Sequence, residues 1–231
     1  MNNQELSEYV KQLGIAQDHI LREEAEMSFL DDFSQDILST KILFYGGTAL
    51  RLAYNSPRFS EDIDLLCLEN VEFSLFERFI QDVVRKHADQ WSLRDIKEKR
   101  NTFFALISIK DERLKHAFSM KIELHRIIPE IPLQTELLLI KSPVSISAPL
   151  LLVPTLEELK RLKELALVSR KKARDIFDLW YIAQSLRQEL VLPQEIPLYG
   201  EREFRNELQV FLPQKYYPVI TQLYESIARK H

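Results

Sequence analysis

Hydrophobic positions recur along the chain with two different periods, and the switches between them mark its elements. Over residues 3 to 39 the apolar side chains Ile20, Leu21, Ala25, Phe29, Leu30 and Phe33 return at threes and fours with acids between them, which predicts helices. Lys41 to Tyr45 (KILFY) is a short apolar run that stops at Gly46-Gly47, the pattern of a buried strand. Helical spacing resumes from Thr48 to Tyr54 through Leu50, Leu52 and Ala53, giving strand, Gly-Gly turn, helix. Asp62 to Leu68 (DIDLLCL) predicts a second strand, and Phe73 to His87 an amphipathic helix built on Phe76, Phe79, Ile80, Val83 and Val84. Two more strands are expected over Leu93 to Lys99 and Thr102 to Lys110. From Phe118 to Arg126 the alternation is clean: Met120, Ile122 and Leu124 point one way, Lys121, Glu123 and His125 the other.

Prolines punctuate the stretch from Pro129 to Pro154, which is expected to be irregular with one or two short strands. From Thr155 onward the chain reads as helix. Thr155 followed three residues later by Glu158 is a capping-box pattern. Residues 155–168 and 171–186 form a helical pair, and residues 201–230 hold one or two further helices. The expected division is a mixed α/β part over residues 1–150, with N-terminal helices over 1–40, and a helical C-terminal region over 151–231.

The chain holds four glycines, Gly14, Gly46, Gly47 and Gly200. About sixteen would be usual at this length, which excludes a collagenous chain and argues against a loop-rich sandwich with many tight turns. With 45% hydrophobic and 29% charged residues it has the makings of a core and a solvated surface. The net charge of −4 means that contact with nucleic acid must come from a local patch. A single cysteine, Cys67, allows no internal disulfide and fits a buried place in its apolar run. No run reaches the ~18 apolar residues of a membrane helix, and the N-terminus lacks the layout of a signal peptide, so the cytoplasm is the expected compartment.

Against this scarcity, the adjacent Gly46-Gly47-Thr48 stands out, followed by Arg58-Phe59-Ser60-Glu61-Asp62-Ile63-Asp64-Leu65. Residues two apart on a strand share a face, so Asp62 and Asp64 stand side by side while Ile63 and Leu65 enter the core. Paired carboxylates repel unless a cation lies between them, and oxygen-rich pairs suit Mg²⁺, with Mn²⁺ as the substitute. A Gly-Gly-Thr turn that opens a helix presents backbone N–H groups to an anion. Together these features are the apparatus of phosphoryl or nucleotidyl transfer. Ser60 is placed to contact a phosphate or to cap a turn. The other histidines, His19, His87, His116 and His231, show no metal-ligand spacing. Residues 160 to 174 carry seven basic side chains and one acid, and Lys163, Arg170 and Arg174, seven and four apart, are expected to share a helix face.

The run GGTALRLAYNSPRFSEDIDLL resembles the signature of the AbiEii/AbiGii toxin family, within the DNA polymerase beta-like nucleotidyltransferase superfamily. A second block, LEELKRLKELALVSRKKARDIFDLW, is similar to the family's downstream motif through Lys163, Arg170, Arg174, Asp175 and Asp178. The resemblance spans roughly residues 41 to 185. It departs from the family where Asn55-Ser56-Pro57 replaces a frequent glycine, and asparagine tolerates the left-handed backbone such a loop needs.

The resemblance implies an α+β fold: a nucleotidyltransferase-like mixed β-sheet flanked by helices, with a helical C-terminal region. It implies transfer of a nucleoside monophosphate from an NTP by a two-metal mechanism. Glu123 best matches the third acid beside Asp62 and Asp64, although a solvated strand position would also suit it. Gly46, Gly47 and Thr48 would cradle phosphates, and Lys163 would neutralise the leaving pyrophosphate. Asp175 would orient Lys163 or contact the nucleotide, while Arg58, Arg170 and Arg174 would bind phosphates or acceptor. The family further implies a toxin of a toxin–antitoxin or phage-defence pair, with RNA such as tRNA as acceptor and a cognate antitoxin as partner. The alternatives are an inactive nucleotidyltransferase fold that serves as a binding module, or transfer to a protein or small molecule.

Overall fold

The structure is a computed structural model describing residues 1–126, 132–170, 172–193 and 199–228. Lys171, His231 and the start of the proline-punctuated stretch lie outside these residues, as does the expected helix end at 230.

Helix α1 (Asn3–Leu13) opens on a capping box between Asn2 and Glu5 and closes at Gly14, whose φ of 59° suits glycine. Helix α2 (Gln17–Gln35) follows, then strand β1 (Ile42–Tyr45), helix α3 (Gly46–Tyr54) and strand β2 (Asp62–Cys67). Helix α3 thus begins on the two glycines themselves rather than after them. It ends at Asn55, with φ 60°, so asparagine does take the left-handed position. Helix α4 (Phe73–Lys86) leads to β3 (Trp91–Lys99), β4 (Thr102–Ile109) and β5 (Phe118–His125). The proline-punctuated stretch yields β6 (Thr135–Leu139) and β7 (Leu150–Pro154), which pair with each other. Helices α5 (Leu156–Arg170), α6 (Ala173–Ser185), α7 (Glu201–Gln209) and α8 (Tyr217–Ala228) complete the chain. At α5 the capping pattern is half realised: Glu158 N donates to Thr155 Oγ1 at 3.3 Å, while the Glu158 carboxylate pairs with Arg161.

Five strands form a mixed sheet in the order β1-β2-β5-β4-β3, with β2 and β5 parallel and the other neighbours antiparallel. This is the expected fold class. Alternation sorts its faces. Ile63, Leu65, Ile122, Leu124, Phe103 and Ala105 are buried in a core shared with Phe29 and Phe33 of α2 and Phe76 and Phe79 of α4. The other face keeps the polar side chains of β2 and β5. A second core, around Phe177, Phe204, Leu208 and Ile220, belongs to the C-terminal helices. Leu50 of α3 packs with Leu159 of α5 and Ile182 of α6, and Phe59 N donates to Phe211 O at 2.8 Å. These contacts hold the helical region over the polar face of the sheet. No helix among the described residues is long and apolar enough to cross a membrane.

Candidate active site

Between the polar face of the sheet and α5 lies a cleft of about 650 Å³. Its floor is set by register. In the parallel β2–β5 pair, Asp64 lies opposite Glu123 and Asp62 opposite Lys121. His125, two residues beyond Glu123, shares its face. Ligand atoms of Asp64, Glu123 and His125 all fall within 4.8 Å of one another, so these three side chains fit a single divalent cation. Asp62, expected beside Asp64 in that role, instead pairs with Lys121, whose Nζ is 2.9 Å from Asp62 and 3.2 Å from Glu123 Oε2.

Electrostatics follow from this crowding. Burial, then the neighbouring Asp62 charge, pushes Asp64 up to about 6, with Lys163, Lys121 and Arg170 acting against that rise. Burial also acts to raise Glu123, but Lys121 and Lys99 outweigh it and hold the carboxyl below its usual value. Burial lowers His125, and Glu123 opposes it only in part, a shift that favours the neutral imidazole over the imidazolium.

The two glycines are pressed against protein. A Cβ on Gly46, whose φ is 84°, would lie 2.9 Å from Cβ and Cγ of Asp64. One on Gly47 would lie 2.7 Å from Arg58 Nη2 and from Ser60 Oγ. Any side chain at either position would displace an acid or a cation of the site. Thr48 is buried, and its hydroxyl donates to Asp62 O at 2.6 Å, anchoring the start of β2 rather than facing the cleft. The N-terminus of α3 has no side-chain cap, unlike that of α1.

Behind the floor runs a chain of ion pairs. Arg58, 2% exposed, grips Asp178 through Nε at 2.7 Å and Nη2 at 2.8 Å. Lys163 Nζ reaches Asp178 at 2.6 Å and Asp175 at 3.3 Å, and Arg170 holds Asp175 at 2.7 and 2.8 Å. Burial alone would raise Asp178; Arg58 and Lys163 outweigh it and hold the carboxyl at about 2. The break between helices, with α5 ending at Arg170 and α6 beginning at Ala173, makes this arrangement possible. Along one continuous helix Lys163 and Asp175 would stand ~18 Å apart. Because α6 folds back on α5, they touch.

That same break corrects the helix face expected to carry Lys163, Arg170 and Arg174: Arg174 belongs to α6. All three still line the cleft, with Gly46, Gly47, Arg58, Ser60, Asp62, Asp64 and Glu123. The basic segment does not face it as a block, since Arg161 pairs with Glu158 and Lys160 with Gln188. Lys121 and Asp178 had no role assigned from the sequence, and His125 was marked only as sharing the face of Glu123. Lys121 was visible through its alternation with Glu123, and Asp178 through its spacing of three from Asp175, but neither spacing revealed a partner.

The chain belongs to the nucleotidyl transferase AbiEii toxin family of type IV toxin–antitoxin systems, whose model matches residues 28–223. Among solved structures, JHP933 from Helicobacter pylori is 18% identical, with a TM-score of 0.55 over 93% of this chain and 97% of that one. A second solved structure, of a Helicobacter pylori protein provisionally assigned as a nucleotidyltransferase, is 16% identical with a TM-score of 0.55, over 94% of this chain and 99% of that one. At these identities the likeness is one of fold. No curated protein matches the chain significantly.

Proposed function

We propose that the protein transfers a nucleoside monophosphate from an NTP to an RNA acceptor, tRNA above all, in a divalent-cation-dependent reaction. The observation that carries this reading is the convergence of the Gly-Gly turn, three carboxylates and five lysine and arginine side chains, drawn from segments about a hundred residues apart, on one cleft. Asp64 and Glu123, with Asp62 beside them, would hold Mg²⁺ or Mn²⁺. When bound, the cation would neutralise triphosphate charge and make the acceptor oxygen a better nucleophile.

The chain's own groups supply the rest. The uncapped first turn of α3, at Gly46 and Gly47, would donate backbone N–H groups to phosphate oxygens. Lys163 is fixed by Asp175 and Asp178, so its charge would meet the phosphates without the entropy cost of ordering a free lysine. Arg170 and Arg174 would extend the cationic wall toward the leaving pyrophosphate or the acceptor backbone. In this reading Arg58 acts from behind, by holding Asp178.

A toxin role in phage defence, with a cognate antitoxin as partner, accords with the family. Incubation of purified protein with labelled NTPs, Mg²⁺ or Mn²⁺ and either tRNA or total protein tests the chemistry. The expected result is a nucleotide added to tRNA by the parent and none by Asp64→Ala. Equal transfer by the two would refute the metal-site assignment, and label on protein alone would move the acceptor to another class.

A further inference from the structure

We propose that the cleft floor is a one-ion site: Asp64, Glu123 and His125 hold the divalent cation, and the Lys121 ammonium takes the place of a second cation between Asp62 and Glu123. The inference rests on the nucleotidyl-transfer reading and replaces the two-ion arrangement that the family resemblance implies.

Three observations support it. The ligand atoms of Asp64, Glu123 and His125 lie within 4.8 Å of one another, on three positions that β2–β5 register places on one face. Asp62, the remaining acid of the pair, is outside that group. Its carboxylate is taken by Lys121, which also reaches Glu123, at 2.9 and 3.2 Å. A second divalent ion bridging Asp62 and Glu123 would have to evict an ammonium already bonded to both. Lys121 is no loose surface lysine, since its side chain is only 33% exposed and sits in the β5 ladder.

The donor set also carries a preference. Mg²⁺ favours oxygen ligands and a near-ideal octahedron, and an imidazole nitrogen shifts a site toward transition-metal ions. Mn²⁺ accepts both carboxylate oxygen and imidazole, so it is expected to outcompete Mg²⁺ here.

The test counts ions directly. Mn²⁺ is titrated into the full-length chain without nucleotide, and bound ion is measured by electron paramagnetic resonance. One ion per chain is expected for the parent and for Lys121→Arg, which keeps a cation in place, and two for Lys121→Met. His125→Asn is expected to weaken the bound Mn²⁺ at least tenfold and to narrow its advantage over Mg²⁺ in competition. Two ions in the parent, a single ion in Lys121→Met, or unchanged Mn²⁺ affinity in His125→Asn would overturn the proposal. Transfer assays on the same preparations separate the two readings. A parent that binds two ions and transfers nucleotide refutes the one-ion site and leaves the transferase standing. A parent that binds one ion and transfers nothing to RNA or protein refutes the transferase and leaves the ion site standing.

Discussion

On the strand floor, Asp62, Asp64 and Glu123 crowd three carboxylates into an open cleft, with Lys121 bonded to two of them, Asp62 and Glu123. Behind it, the buried Arg58 and Lys163 and the half-exposed Arg170 meet the buried Asp175 and Asp178 in a chain of ion pairs. Both regions border the same cleft and both are dense in charge. In the first, like charges are brought together and Asp64 sits well above its ordinary value. In the second, opposite charges alternate and Asp178 sits well below its own. Charges held at a cost to the fold are available for a ligand. Charges already satisfied by protein maintain the shape that holds the others in place, and Lys163 and Arg170, which also line the cleft, are fixed there by the same pairs.

The comparison breaks most sharply at Asp178. Asp178→Ala would leave Arg58 and Lys163 buried without their shared partner, and a loss of about 3–5 kcal/mol is expected in urea unfolding. A variant as stable as the parent would mean that the buried chain is not structural. Acid should reach the same pairing by titration. Asp178 has a folded value of about 2, below the ordinary value of 3.8, so its contribution is complete above pH ~4 and disappears as pH falls toward 2. Roughly 2 kcal/mol of parent stability should disappear over that window, and this part of the decline should be absent in Asp178→Asn.

Opposite behaviour is expected on the floor. Asp64→Asn keeps the shape beside Gly46 and removes a carboxylate the fold disfavours, so at pH 7 its melting temperature should equal or exceed the parent's while transfer is lost. A clear drop in melting temperature would place Asp64 with the structural charges. The smallest effect is expected at Arg174, which lines the cleft and has no ion-pair partner among the described residues. Arg174→Ala should stay within about 0.5 kcal/mol of parent stability and raise the KM for NTP or tRNA several-fold.

Much of this was legible before the fold. Period-2 alternation put Asp62 and Asp64 on one face and Glu123 on another strand's polar face, and β2–β5 register then set them side by side. Glycine scarcity marked Gly46-Gly47, although the glycines prove to be required by Asp64, Arg58 and Ser60 crowding against them. Thr48 was legible only as part of the turn; its hydroxyl is spent on the backbone of Asp62. The expected Lys163–Arg170–Arg174 face ran across the boundary that the helical pair 155–168 and 171–186 already marked, because charge spacing alone carries no sign of where α5 ends and α6 begins.

What the sequence by itself determined is local: the strand–glycine–helix unit, the face each acid occupies, and the two blocks that identify the family. These depend on side-chain periods of 2 and 3.6 and on backbone preference, which neighbouring residues encode. Only the tertiary structure decided which charges are neutralised by which. Lys121 lies between Asp62 and Glu123 because β2 and β5 pair in parallel at one register, and Lys163 lies between Asp175 and Asp178 because α6 folds back on α5. Coulomb energy and desolvation depend on distance in space. Residues far apart in sequence acquire that distance only when the elements pack.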